Sequence, residues 1–336
     1  MRRALVPALV VAAGSSSAVA TQSGEVRWYD DLERARTVAR TENKHVLVEF
    51  AGSSWCAWCK KLEDRVLSRP TFCEPACDEF VLVRLDFDER GRARGEGESA
   101  VRSDAFRAAV GASAFPTVLL MTADGIAYAR EGYDERGPRE WADWVLDEHR
   151  RTEALRDTVP TIVGAIAGAN SPEEARAASA RAATVLERAG AHVFAKPLVP
   201  IVRTILGEPD VTDARERLAV RALVAADAVD GDVLDRAFRL DPSNAEGLPE
   251  GALGAMMASV DDPELARALI LRAETLLRTG SVHDPQRAAR LYGDCAHWSR
   301  HELDDPDRAR ALARFALSLE PKDERLRAML EALSGI

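Results

Sequence analysis

The feature that most constrains the fold of this chain is a pair of cysteines between an apolar run and a helix. The segment Trp55-Cys56-Ala57-Trp58-Cys59 opens a helix predicted over 56–67, and the buried strand predicted at 45–50 precedes it. A thiol at a helix N-terminus faces unpaired N–H groups and the positive end of the dipole, which favour the thiolate. We therefore expect Cys56 to be the more acidic and more exposed thiol. Cys59, one turn inward, is placed to attack a mixed disulfide on Cys56.

The first 150 residues alternate helix and strand signals. A helix is predicted after Asp30 or Asp31, a second strand at 80–87, a polar Gly-rich loop at 91–99 and a helix at 100–110. Strands at 117–121 and 126–131 flank an Asp-Gly turn, and a last helix opens at Pro138. This alternation predicts an α/β fold with a central mixed sheet flanked by helices.

The rest of the chain has a different composition. Fourteen of the 19 aromatic residues precede residue 151, and Ala, Arg and Leu dominate after it, which predicts a boundary near 150 and an all-α domain over 155–336. Four helix starts place an N-cap residue before a proline: Ser171-Pro172, Asp262-Pro263, Asp284-Pro285 and Asp305-Pro306. We therefore expect helical hairpins.

Two helix ends, Ala237–Pro242 and Ala316–Pro321, share an Ala-x4-Pro spacing. This spacing resembles the close of a tetratricopeptide repeat, but the first helix of the unit that ends at Pro321 lacks Trp, Gly and Tyr at the positions where the repeat has them. A repeat-like array and an irregular helical bundle both remain open.

Over about 25–150 the chain resembles the thioredoxin superfamily. The resemblance rests on Val48–Glu63, which carries the WCxWCK motif, and on Ala114-Phe115-Pro116-Thr117 before a strand. It implies that Pro116 follows a cis peptide bond and lies opposite the cysteines. It also implies that Phe115 presents its backbone to an extended client, with Trp55 completing the groove.

The same resemblance implies a buried acid beneath the cysteines, and Glu49 is its counterpart here. Three departures put its acid–base role in doubt. Glutamate replaces the usual aspartate, the following loop is one residue longer, and Arg84 replaces a lysine that would share protons more readily. The alternative is a glutamate that only forms a salt bridge or that lies exposed at the edge of the sheet.

A second pair, Cys73 and Cys77, follows the predicted active-site helix, and we expect it to form an ancillary disulfide. Two free thiols, a relay and a zinc role are alternatives. A four-thiolate zinc site is disfavoured because the intervening helix separates the pairs by roughly 15 Å. Pro75 predicts a turn between these cysteines. Cys295, near His297 and His301, is expected to be a packed thiol, so no metal site is predicted.

The N-terminus predicts export. Residues 1–20 combine Arg2 and Arg3, an apolar run and an Ala-x-Ala site, which is the pattern of a signal peptide. The run is too short to span a bilayer, so we expect an exported product, periplasmic or extracellular, with no membrane span after cleavage. The net charge of −10 argues against a nucleic-acid partner.

Together these features predict an exported thiol–disulfide oxidoreductase. Its partners would be protein disulfide or dithiol clients and a redox protein that donates or accepts electrons, and no cofactor is expected. The direction of exchange stays open. Two alternatives remain: a thioredoxin-fold scaffold whose helical domain binds partners, and a thiol redox sensor.

Overall fold

The structure is a computed structural model that describes residues 26–95, 97–279 and 281–335. The predicted signal peptide at 1–20 lies outside the described residues. The chain divides into two compact units. One comprises residues up to Val118 together with Glu131–Ala142, and the other comprises Leu119–Arg130 together with the residues from Asp143 onward.

The N-terminal region alternates strands and helices, as the sequence predicts. Its elements are β1 (Trp28–Tyr29), α1 (Leu32–Glu42), β2 (His45–Ala51), α2 (Ala57–Leu62), which continues as a π-helical turn over Glu63–Leu67, α3 (Pro70–Glu79), β3 (Phe80–Asp86), α4 (Glu98–Ala109), β4 (Thr117–Met121) and β5 (Ala127–Gly132). The strands form one mixed five-stranded sheet in the order β1-β3-β2-β4-β5. The predicted α/β fold is confirmed.

The register of the sheet places the second and third strands side by side. β2 and β3 are parallel, and Val48 pairs with Val83 while Glu49 pairs with Arg84. Every residue of β2 is buried, as expected of a strand covered on both faces. Glu49 is therefore a carboxyl group in the core, fixed opposite an arginine by the strand register.

Two elements differ from the sequence-based expectation. β1 has only two residues, too few to show a periodicity, and was not predicted. The turn predicted at Pro75 is wrong, because α3 runs continuously through it. The carbonyl that loses its helical N–H partner there belongs to Thr71, which is exposed, so water can satisfy it. Cys73 and Cys77 therefore lie on one continuous helix.

The C-terminal region is all-helical, which confirms the second half of the predicted fold. Its elements are α5 (Pro138–Ala167), α6 (Pro172–Ala189), a 3-10 turn (Val193–Ala195), α7 (Leu198–Leu206), α8 (Asp213–Ala225), α9 (Gly231–Leu240), α10 (Leu248–Ser259), α11 (Pro263–Arg278), α12 (Pro285–His301), α13 (Pro306–Ser318) and α14 (Glu324–Ser334). All four predicted starts are confirmed, because the side chains of Ser171, Asp262, Asp284 and Asp305 each accept a hydrogen bond from the first helical turn.

These helices pack against their neighbours along the chain and against the next helix but one. α12 packs on α10, α13 and α14, and α6 packs on α7 and α8. One apolar core extends from Leu155 to Leu330 and contains the buried Cys295. This packing fits stacked helical hairpins, and the resemblance to tetratricopeptide repeats stays a prediction.

The boundary predicted near residue 150 lies inside the continuous helix α5. Among the described residues, each helix is either too short or too polar to cross a bilayer.

Candidate active site

Cys56 is the N-cap residue of α2, as the position of the motif predicts. Its sulfur accepts a hydrogen bond from the backbone N–H of Cys59 at 3.2 Å. The same sulfur lies 3.7 Å from the carbonyl oxygen of Phe115, to which its S–H donates. Cys56 thus has a donor that can stabilise a thiolate and an acceptor that can hold a thiol.

Cys59 lies one turn further into the helix and is the less exposed of the two thiols. Its residue is 2% exposed, against 6% for Cys56, so the predicted order of exposure is confirmed although both thiols are buried. Burial raises the pKa of the Cys59 thiol to about 12, while a hydrogen bond from the Gly52 N–H at 3.4 Å opposes that rise. At neutral pH Cys59 is protonated, so it needs a base to become a nucleophile.

An aromatic wall surrounds the two thiols. The indole of Trp55 donates to the Phe87 carbonyl at 2.9 Å and meets the Phe115 ring edge-on, with 5.6 Å between ring centroids. Gly52 makes this arrangement possible, because a Cβ at that position would lie 2.4 Å from the Trp55 ring. The structure thus shows Trp55 as a half-buried support, and its predicted role in client binding stays a prediction.

The predicted proline element lies next to the cysteines. The Phe115–Pro116 peptide bond is cis, and Pro116 is buried immediately before β4. Phe115 is half-buried and contributes both the carbonyl near Cys56 and the ring that packs on Trp55. Sequence elements nearly 60 residues apart are therefore brought together around one sulfur atom.

Glu49 lies beneath this site with one oxygen paired and one unpaired. Its Oε2 accepts a 2.6 Å hydrogen bond from Nε of Arg84, its partner in the strand register. Its Oε1 is buried without a hydrogen-bond partner. Burial raises the pKa of Glu49, with a further contribution from Asp86, whereas Arg84 opposes the rise. The negative charge of Glu49 in turn raises the pKa of Cys59, so the two groups interact electrostatically.

Arg84 also binds a second carboxylate that sequence reasoning missed. Its Nη2 donates to Glu63, the first residue of the π-helical turn after α2. Its guanidinium lies over the ring of Trp28, 4.7 Å from the centroid. Glu63 is far from Arg84 in sequence, and its position depends on the helix changing to π geometry, which no local pattern predicted.

The structure also brings together an aromatic pair near the cysteines, formed by an exposed Trp58 and a half-buried Tyr133. Trp58 is 53% exposed and packs on Tyr133 with 5.2 Å between ring centroids. The Lys61 ammonium lies 4.8 Å from the centroid of the Trp58 ring and pairs with Glu135. An exposed tryptophan inside the CxxC segment was the available sequence signal, but Tyr133 and Glu135 belong to a distant segment.

Cys73 and Cys77 occupy a different environment. Both are free thiols in the structure, and Cys73 is buried with its S–H donating to the Leu67 carbonyl at 2.8 Å. Burial raises the pKa of Cys73 to about 11 and also raises that of Cys77. High pKa values keep thiols protonated and slow to react. The ancillary disulfide and the sensor role expected from sequence stay predictions.

Cys295 is a buried free thiol in α12, in agreement with the expectation of a packed residue. Burial raises its pKa, so it is held as an inert thiol. His297 and His301 are exposed on the same helix, with 4.6 Å between their ring centroids.

Comparisons with known proteins found similarity to part of this chain. Residues 27–123 match the family model described as thioredoxin-like. The disulfide bond reductase DsbH of Chlamydia pneumoniae is 26% identical over 115 residues, which cover 34% of this chain and 68% of that protein. A solved structure of a DsbH oxidoreductase is 23% identical, covers 37% of this chain and 85% of that one, and has a TM-score of 0.34. This chain therefore carries a thioredoxin-like domain at residues 27–123, followed by a long helical region.

Proposed function

We propose that this chain is a thiol–disulfide oxidoreductase that reduces disulfides in protein clients through Cys56 and Cys59. The observation that carries the proposal is the position of the Cys56 sulfur between the Cys59 N–H and the Phe115 carbonyl, with a second thiol one helical turn away. Distant similarity to a protein named a disulfide bond reductase supports the reductive direction.

The first step is attack by the Cys56 thiolate on one sulfur of a client disulfide. A bond forms between Cys56 and that client sulfur, the client S–S bond breaks, and the other client sulfur leaves as a thiolate. The Cys59 N–H, which bonds the Cys56 sulfur, stabilises the attacking anion. The product is a mixed disulfide between Cys56 and the client.

The second step releases the client. Cys59 gives up its proton and attacks the Cys56 sulfur, so that the Cys56–Cys59 bond forms and the second client thiolate leaves. Two electrons pass to the client in total. Glu49 is the proposed acceptor of the Cys59 proton, because it is a buried carboxyl group that interacts electrostatically with that thiol.

A further redox protein must then reduce the Cys56–Cys59 disulfide, and the exchange itself needs no metal or organic cofactor. We place the reaction outside the cytoplasm, where client disulfides persist, because residues 1–20 have the pattern of a signal peptide. The helical region is the proposed surface for partner docking.

Trapping of the mixed disulfide tests this mechanism. Reduced Cys59→Ser protein, mixed with oxidised insulin, is expected to accumulate a covalent adduct on Cys56, because the resolving thiol is missing. The double variant Cys56→Ser/Cys59→Ser is the matched control and should form no adduct. Adducts mapped by mass spectrometry to Cys77 rather than Cys56, or none at all, would overturn the proposal and favour a binding or sensor role.

A further inference from the structure

Arg84 carries one positive charge and contacts two carboxylates. Its Nε bonds the buried Oε2 of Glu49 at 2.6 Å, and its Nη2 bonds the half-buried Glu63. One positive charge cannot neutralise two negative charges. The carboxylate that is less exposed to water responds more strongly to a change in its share of that positive charge. Glu49, which is fully buried, is therefore the carboxyl group whose protonation responds to how Arg84 is shared.

We propose that Glu63 is a positioning residue that holds part of the Arg84 charge away from Glu49 and so keeps Glu49 able to accept a proton. This inference rests on the proposed function of Glu49 as the proton acceptor of Cys59. Glu63 touches neither thiol in the described contacts, so it acts only through Arg84.

The geometry of the active-site helix supports this role. α2 changes to π-helical geometry at Glu63, where the Ser68 N–H bonds the Glu63 carbonyl five residues earlier. The π turn thus begins at the residue that reaches Arg84, and the helix that carries Cys59 is tied by its own side chain to the strand beneath it. π-helical turns of this kind occur frequently at functional sites.

The other groups near Glu49 do not share the Arg84 guanidinium with it in the described contacts. Asp86 raises the pKa of Glu49, but its carboxylate accepts from the Ser53 N–H and pairs with Arg94. Cys59 is protonated at neutral pH, because its pKa is raised to about 12. Trp28 covers the guanidinium of Arg84 without adding a charge. Glu63 is therefore the carboxylate that shares the Arg84 guanidinium with Glu49.

Two roles for Glu63 predict opposite signs. If Glu63 takes up part of the Arg84 charge, a neutral residue at position 63 leaves all of that charge to Glu49, and the pKa of Glu49 falls. If Glu63 only anchors the Arg84 side chain, its loss frees Arg84 to swing away from Glu49, and the pKa of Glu49 rises. The direction of the shift separates the two roles.

The experiment is a pH titration of the Glu49 carboxyl group in the reduced full chain. The ¹³C signal of the Glu49 side chain is followed by NMR and is assigned by its disappearance in Glu49→Gln. We expect Glu63→Gln to lower the titration midpoint by about one pH unit, within the range that a contacting cation imposes. Glu63→Met, which is also neutral and of similar length, should give the same downward shift.

Asp64→Asn is the matched control. Asp64 is exposed on the same π-helical turn, and its replacement changes the net charge by the same amount. We expect it to move the midpoint by less than about 0.3 unit, as for a solvated surface charge. An unchanged or raised midpoint in both Glu63 variants would overturn the proposal. The titration does not depend on client turnover, so a protein that fails to reduce insulin would overturn the proposed function without affecting this result.

Discussion

Two cysteine pairs lie on consecutive helices of the N-terminal region, and they differ in their position on the helix and in the hydrogen bonds of their sulfur atoms. Cys56 caps α2, where a free backbone N–H reaches its sulfur. Cys73 lies inside α3, where backbone N–H groups are engaged in the helix, and its S–H donates to the Leu67 carbonyl. The difference shows that position relative to a helix end decides whether a backbone N–H is free to bond a cysteine sulfur.

The most severe test of this comparison is loss of the attacking thiol. Cys56→Ser is expected to lower insulin reduction by more than about a thousandfold, since serine cannot form the mixed disulfide. The matched control is Cys73→Ser/Cys77→Ser, which should retain activity within about twofold, because these thiols take no part in the exchange. A comparable loss in both variants would show that the second pair participates.

The reactivity of the second pair sharpens the comparison. In the fully reduced protein, Cys73 should react with iodoacetamide about a hundredfold more slowly than the same residue in the urea-unfolded chain at neutral pH. This factor follows from the rise of its pKa from 9.0 to about 11. Alkylation mapped by mass spectrometry provides the measurement, and equal rates in the two states would contradict the burial of this thiol.

The buried carboxyl group of Glu49 should make the stability of the folded protein depend on pH. The pKa of Glu49 is higher in the folded state than its ordinary value of 4.5, which applies in the unfolded chain. The folded state therefore loses stability as the pH rises from 4.5 through the pKa of Glu49 in the folded state. Glu49→Gln removes this loss and should be more stable than the wild type at pH 8. Urea unfolding at several pH values measures the difference.

The stability gap between Glu49→Gln and the wild type should widen from pH 4.5 upward. A gap that narrows over this interval would mean that the ion pair with Arg84 outweighs the cost of burial. The same variant should slow the release of clients, because Cys59 loses its proton acceptor.

A modest effect is expected at Trp58, the exposed member of the aromatic pair. Trp58→Ala should raise the KM for insulin about threefold to tenfold and leave kcat unchanged, as expected when an exposed tryptophan contributes binding energy. Leu271→Ala, which truncates an exposed apolar side chain on α11, is the control and should change neither constant. A change in kcat alone would place Trp58 in the chemistry instead.

Local signals in the sequence predicted those parts of the fold that depend on local chemistry. Asp31 caps α1 and Cys56 caps α2, both as expected, because capping involves residues only a few positions apart. Pro75 was misread since a proline inside a helix is tolerated where the carbonyl it leaves unpaired is exposed, and exposure is a property of the fold.

The site was predicted less completely than the fold. Cys56, Cys59, Phe115 and Pro116 were identified through motifs, and the structure brings them together. Glu63 was missed because its contact with Arg84 depends on strand register and on a π-helical turn. Tyr133 was missed because its contact with Trp58 joins two distant segments. Pairings of this kind are fixed by tertiary packing, which no local pattern encodes.

The central claim is that Cys56 and Cys59 form the redox pair, and a redox titration of the wild-type protein tests it most directly. The protein is equilibrated in glutathione or dithiothreitol buffers of graded potential, and each cysteine is mapped by alkylation and mass spectrometry. The account predicts a two-electron transition to a Cys56–Cys59 disulfide, with a midpoint between about −270 and −120 mV, the range of the thioredoxin superfamily. If both thiols stay reduced across this range, or if Cys59 pairs with another cysteine, the account is contradicted.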